Sequence, residues 1–167
     1  FMCSVHGGQV RRSGKPYISH PAWIAKVVSQ LNIGQEAVIA ALLHDCVEDT
    51  KITMDDISKE FGDEVALLVS GLTEVKSRTS KMDASKASIE IYRKFFFSSV
   101  NDVRVLIIRL IDKLHNSLTI EYLPKERKLR NARNIMQIDG PLVDVSGLKK
   151  KKKRIEDIAF RILYPEE

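Results

Sequence analysis

The stretch VRVLIIRLIDKLHN, residues 103–116, is the one on which the fold turns. Its density of Val and Ile favours a strand. Yet no partner strand with alternating polarity stands out elsewhere in the chain. The polar residues that close it, Asp112, His115 and Asn116, recur at i, i+3 and i+4. That spacing predicts a buried helix from Val103 to about Tyr122, and with it an all-α protein.

The rest of the chain agrees. Pro21-Ala22-Trp23 opens a helix with Trp23, Ile24, Val27, Val28 and Leu31 on one stripe, stopped by Asn32-Ile33-Gly34. Gln35 to His44 is apolar on every side and reads as a buried helix. Thr53 with Asp56 three residues on forms a capping arrangement for a short helix ending near Phe61-Gly62. Asp63 to Leu72 is amphipathic. Lys76 to Ala84 is polar and aperiodic and reads as a mobile loop. Helices over Ser85–Phe97, Lys125–Asp139 and Lys150–Leu163 complete the set. No repeat or second domain is visible, so residues 1–167 read as one compact unit.

Composition narrows the function. The 167 residues are 44% hydrophobic and 29% charged, as in an ordinary globular protein. No apolar run is long enough to span a membrane, and no secretory signal opens the chain. Two cysteines, Cys3 and Cys46, make no disulfide framework and suggest a reducing cytoplasm. The net charge of +5 is local: Lys149–Arg154 alone carries six positive charges, and the remainder sums to −1. A solvated stripe explains this run, and a nucleic-acid-binding module is the weakest of the functional readings.

The chemistry gathers at His44-Asp45-Cys46-Val47-Glu48-Asp49-Thr50. If the apolar helix continues through it, three carboxylates and a histidine crowd its C-terminal end. There the helix dipole disfavours acids by several tenths of a kcal/mol each. A bound cation would remove the conflict, and imidazole with carboxylate suits manganese, iron or zinc. A solvated acidic helix end is the alternative. Asp112, at the end of the long apolar segment, and His20, in Tyr17-Ile18-Ser19-His20-Pro21, are further ligand candidates. His115 reads as a structural, hydrogen-bonded histidine, and His6 as structural or exposed.

The order His20, His44-Asp45, Asp112 resembles the metal signature of the HD-domain phosphohydrolases. The resemblance extends to the RelA/SpoT-type guanosine tetraphosphate (ppGpp) hydrolase domain. It is carried by RRSGKPYISHP at 11–21, AALLHDCVEDT at 40–50, FGDEVALLVSGLT at 61–73, YRKFFFSSVNDVRVLIIRLIDKLHN at 92–116 and RIEDIAFRILYPE at 154–166. It implies a helical HD-domain fold. It also implies one divalent ion, usually manganese, on His20, His44, Asp45 and Asp112. Glu48 and Asp49 match the acidic pair that handles the attacking water. Arg11, Arg12, Asn116 and Thr119 match nucleotide-contacting positions. The implied reaction takes the alarmones ppGpp or pppGpp to GDP or GTP plus pyrophosphate. The alternatives are an HD phosphohydrolase acting on another nucleotide and a non-catalytic alarmone-binding domain. Two departures stand out: Ile111-Asp112-Lys113 replaces Ala-Asp-Arg, and Pro141–Gly147 lacks the usual Ala-His-Arg. The chain would be either a stand-alone hydrolase or a fragment of a bifunctional protein whose neighbour is a synthetase domain.

Overall fold

The computed structural model describes residues 1–11, 13–80, 102–136 and 149–166. Among these, the regular structure is helical, and the one extended pairing is an isolated bridge between Val10 and Pro16. In chain order the elements are α1 (Met2–Val5), α2 (Ser19–Ser29), α3 (Gln35–Leu43), α4 (Cys46–Asp49), α5 (Met54–Phe61), α6 (Asp63–Ser80), α7 (Val103–Leu118), a 3-10 turn (Ile120–Tyr122), α8 (Lys125–Asn134) and α9 (Lys149–Leu163). The all-α expectation holds.

Helix α7 is the Val- and Ile-rich stretch. Its β-branched residues reflect burial rather than a strand, because α2, α3, α6 and α9 all pack around it. Asp102 caps its start by accepting the Arg104 N–H at 2.8 Å. Arg104 also donates to Glu64 at 2.7 Å and so ties α7 to the first turn of α6. Where these two helices approach, a Cβ on Gly71 would meet the Val105 side chain at 3.0 Å. The glycine therefore permits the close packing.

The larger core joins Ile24 and Val28 of α2, Ala37 and Ala40 of α3, Ile57 of α5, Leu68 and Leu72 of α6, and Ile108 and Ile111 of α7. A smaller cluster gathers Leu114, Ile120, Ala132, Ile135 and Ala159 around the other end of α7. This one helix runs through both, so the residues at its middle are held from two sides.

Two expectations need correction. The apolar helix α3 ends at Leu43 instead of running on through the acidic residues. His44 and Asp45 form a turn, and Cys46–Asp49 is a separate short helix. The break has a local cause: the His44 side chain donates Nδ1–H to the Ala41 carbonyl at 2.9 Å and satisfies a terminal acceptor of α3. The second correction concerns the loop expected from Lys76. Helix α6 continues to Ser80. No glycine or proline interrupts 72–80. The missing periodicity there marks the lack of an apolar stripe, which is different from the lack of a helix. Residues 81–84, the helix expected at 85–97 and the altered segment 141–147 lie outside the described residues.

The capping box at Thr53 and Asp56 forms as read, with Asp56 N–H donating to Thr53 Oγ1 at 3.2 Å and Thr53 N–H donating to Asp56 Oδ2 at 2.9 Å. No described helix is long and apolar enough to cross a membrane. The basic run opens α9, and Lys153 within it is exposed.

The packing of α7 makes a direct prediction. Ile108 is fully buried. Ile108→Ala should lower unfolding free energy by about 2–5 kcal/mol in urea denaturation. A loss under about 1 kcal/mol would mean that α7 is not the centre of this core.

Candidate metal centre

Three buried side chains from three parts of the chain converge. His20 comes from the first turn of α2, His44 from the turn after α3, and Asp112 from the middle of α7. One ligand atom from each lies within 4.8 Å of the others. His20 is delivered by a pinned loop, in which Arg11 N–H donates to Lys15 O at 2.9 Å and Tyr17 N–H donates to Gln9 O at 2.9 Å. Gly14, at φ 77°, allows the reversal.

Asp112 is the hub. Its Oδ1 accepts from Asn116 Nδ2 at 2.7 Å and lies 3.1 Å from His20 Nε2 and 3.8 Å from His44 Nε2. Its Oδ2 accepts from Arg109 Nη1 at 2.8 Å. Burial pushes this carboxyl up, but the His20 ring, the Arg109 guanidinium and His44 outweigh burial and hold it down to about 2. Asp112 is therefore ionised near neutral pH.

His44 brings a bare nitrogen beside it, while His20 Nε2 lies within hydrogen-bonding reach of Oδ1. The Ala41 carbonyl can only accept, so the Nδ1 of His44 carries the proton. In the neutral ring, His44 Nε2 is then a lone pair. It lies 3.0 Å from Asp45 Oδ2 and makes no hydrogen bond. Burial works to lower the His44 pKa, but the neighbouring carboxylates of Asp45 and Asp112 outweigh it and raise it. His20 shifts the other way. Burial lowers its pKa, with Asp112 opposing and the charges of Arg11 and His44 adding to the fall. A proton on one ring relieves one of these acceptor-to-acceptor contacts. A divalent cation among the nitrogens and carboxylates relieves all of them, and a neutral-imidazole and carboxylate donor set suits such an ion.

Asp45 adjoins the cluster through His44 and is not one of the three residues that share the 4.8 Å spacing. Its Oδ2 accepts from the Tyr17 hydroxyl at 2.9 Å, and Asp49 Oδ2 accepts from the same hydroxyl at 2.7 Å. Burial and then these two carboxylates push the phenol above its ordinary range, so Tyr17 stays a donor. The Tyr17 ring is stacked on buried His6, with centroids 4.5 Å apart. Glu48 and Asp49 are exposed on α4. Since they start a new helix after a break, the helix-dipole argument for a cation does not apply to them. The argument rests instead on the unpaired Nε2 of His44 and the three converging ligand atoms.

Arg11 reaches across from the loop. Its Nη1 donates to His115 Nδ1 at 3.1 Å and its Nη2 donates to Asn116 Oδ1 at 2.8 Å. Thr119 Oγ1 donates to the Asn116 carbonyl at 3.1 Å. Thr119 lines a cleft of about 320 Å³ with Val10, Arg11, Ser13, Tyr17, Tyr122 and Leu123. Arg12 lies outside the described residues.

Residues 1–147 match the family model of the HD domain. The chain belongs to the HD-domain family. The resemblance of this HD domain to ppGpp hydrolases is borne out by its relatives. It is 41% identical over 162 residues to a probable GTP pyrophosphokinase of Mycobacterium leprae, covering 97% of this chain and 20% of that protein. It is 38% identical over 163 residues to a guanosine-3′,5′-bis(diphosphate) 3′-pyrophosphohydrolase of Borreliella burgdorferi, covering 98% of this chain and 24% of that protein. The HD domain thus spans about a fifth to a quarter of the length of these curated relatives. A solved structure of a metazoan ortholog of SpoT, which hydrolyses ppGpp and plays a role in starvation responses, superposes with a TM-score of 0.64. It is 25% identical, and the match covers 96% of this chain and 89% of that one.

Three contributors escaped the sequence reading: Tyr17, Arg109 and the contacts of His115. Arg109 had a signal, a lone cation inside an apolar run three residues before Asp112. The other two depend on partners brought from distant parts of the chain.

The His115 ring gives a pH prediction. Burial, with the charges of His20 and Arg11 adding, pushes its pKa down to about 4. In the unfolded chain it titrates at about 6.5. As pH falls, the unfolded state binds the proton first, so stability is lost through that window and the loss levels off below about 4. Replacing the ring by the non-titrating His115→Asn should flatten the fall in metal-free stability between pH 7 and 4.5, read by urea denaturation. Parallel pH slopes for the two proteins would contradict the assignment.

Proposed function

We propose that this HD domain hydrolyses the 3′-pyrophosphate of ppGpp or pppGpp, giving GDP or GTP and pyrophosphate, with one divalent ion, Mn2+, held by His20, His44, Asp45 and Asp112. The observation that carries the reading is the His20–His44–Asp112 cluster with the unpaired Nε2 of His44, next to the Arg11-edged cleft. The names of the Borreliella relative and the SpoT ortholog supply the substrate class. The domain works in the cytoplasm. It is either a stand-alone hydrolase or one unit of a longer protein with a neighbouring synthetase domain.

When bound, the ion supplies Lewis-acid stabilisation of charge developing on phosphorus and makes water a better nucleophile at neutral pH. The chain's own residues do the rest. Asp49, held on the Tyr17 hydroxyl, and Glu48, on the same exposed turn, orient the attacking water and accept its proton. Arg11, with Arg12 by the family resemblance alone, binds the anionic nucleotide, and Arg can grip a phosphate with two parallel donors. Asn116 and Thr119, at the end of α7 and beside the cleft, contact the nucleoside.

Two outcomes are expected. In assays of ppGpp, GTP and dGTP with and without Mn2+, only ppGpp with Mn2+ should turn over. Equal turnover of dGTP would move the domain to a general nucleotide phosphohydrolase, and no turnover of any nucleotide would leave a binding domain. Secondly, Glu48→Gln and Asp49→Asn should each slow turnover by about 10²- to 10⁴-fold while leaving Mn2+ affinity by calorimetry within a few-fold. Near-normal rates in both variants would remove the acidic pair from the mechanism.

A further inference from the structure

We infer that a second cleft, between α7 and α8, is an oxyanion subsite that takes pyrophosphate. The identity of the occupant rests on the hydrolase reading above. The preference for a compact anion stands on the cleft alone.

Helices α7 and α8 each contact α9 and the 3-10 turn. Between them lies a cleft of about 180 Å³. Helix α7 lines it with Arg109, Asp112, Lys113 and Asn116, which recur every one to four residues along one stripe. Helix α8 faces them with Asn131 and Asn134, three residues apart. Two cations and three carboxamides therefore meet across the gap. Asp112 is the one acid among the lining residues, and it is already engaged. Its Oδ2 accepts from Arg109 Nη1 at 2.8 Å, and its Oδ1 accepts from Asn116 Nδ2 at 2.7 Å. The lining is left positive and rich in N–H donors. Carboxamides add donors without adding a charge that would repel an anion.

Arg109 supplies a second, independent observation. It is only 7% exposed, and its Nε makes no hydrogen bond. A guanidinium carries five N–H donors and no acceptor. A buried donor left unpaired is unfavourable, and an oxyanion beside this guanidinium offers it an acceptor.

Size and position narrow the occupant. Sites for drug-sized organic ligands usually measure about 300–1,000 Å³. The Arg11-edged cleft reaches the lower end of that range at about 320 Å³, and this one falls below it. It therefore suits a phosphate chain better than a nucleoside. Asp112 forms the wall between this cleft and the metal centre, with Oδ2 toward Arg109 and Oδ1 toward His20. Asn116 joins the two clefts, because its Oδ1 accepts from Arg11 at 2.8 Å while its side chain lines the smaller one. A nucleotide seated beside Arg11 can pass its phosphates over Asn116 into the positive cleft.

The test titrates inorganic pyrophosphate into the metal-free protein by calorimetry at low ionic strength. Wild type should bind it. Asn131→Asp, which puts a carboxylate into the cleft at almost unchanged volume, should weaken binding by about tenfold or more, and so should Lys113→Gln. Both residues are only partly buried, so both variants should fold, which circular dichroism checks. In the Mn2+-loaded protein, pyrophosphate inhibition of ppGpp turnover should weaken in parallel in Asn131→Asp. Its Mn2+ affinity without pyrophosphate should stay within a few-fold of wild type. No pyrophosphate binding by wild type overturns the inference, as does unchanged binding in both variants. Equal weakening of Mn2+ and pyrophosphate in Asn131→Asp also overturns it, since that marks a disturbed metal centre. Pyrophosphate binding with the expected sensitivity, but no ppGpp turnover, would remove the hydrolase reading and leave the oxyanion subsite standing.

Discussion

A carboxylate inside a protein must be matched by donors or cations, and the matching of Asp112 organises this molecule. The residue sits on α7, buried between the two cores. Arg109 neutralises one oxygen at 2.8 Å. Around the other oxygen stand an amide donor from Asn116 and two imidazole nitrogens, from α2 and from the turn after α3. Leaving a buried charge without its partners would cost several kcal/mol, on the order of 3–5. The loop at 11–19, the end of α3 and the middle of α7 are thus held together by one anion.

The arrangement separates stability from chemistry. Arg109 satisfies Oδ2 from within the same helix, one turn away. That contact does not depend on a bound ion. The Oδ1 side is different, because the unpaired Nε2 of His44 faces it at 3.8 Å. This frustrated half is where function is expected to reside, since local conflicts that the fold tolerates tend to mark sites. Around it lie second contacts: Tyr17 joins Asp45 to Asp49, and Arg11 joins His115 to Asn116. Each has a polar group reaching over from the 11–19 loop, so this loop sets the geometry on both sides of the centre.

Much of this was legible in the sequence, for identifiable reasons. The helix over 103–118 followed from the i, i+3, i+4 spacing of its polar residues, which overrode its strand-like composition. The Thr53 cap followed from a local pattern of four residues. Of the ligand candidates His20, His44, Asp45 and Asp112, which followed from their order, the structure brings His20, His44 and Asp112 together and leaves Asp45 beside them through His44. The break at His44 was not legible, because it depends on a side chain taking up a main-chain carbonyl three residues back. The extension of α6 to Ser80 was missed because a polar helix has no periodicity to read. His115 is hydrogen-bonded as read, but its partner and that of Tyr17 were missed because they lie 95 and 28 positions away, and spacing along a chain says nothing about such pairs.

The central claim is that His20, His44 and Asp112 hold a divalent cation. Diffraction from crystals grown with Mn2+, collected on both sides of the manganese absorption edge, tests it most directly. The account predicts one anomalous peak per chain, within coordination distance of His20 Nε2, His44 Nε2 and Asp112, and absent in His44→Gln. A peak elsewhere, or full occupancy retained in that variant, would contradict it.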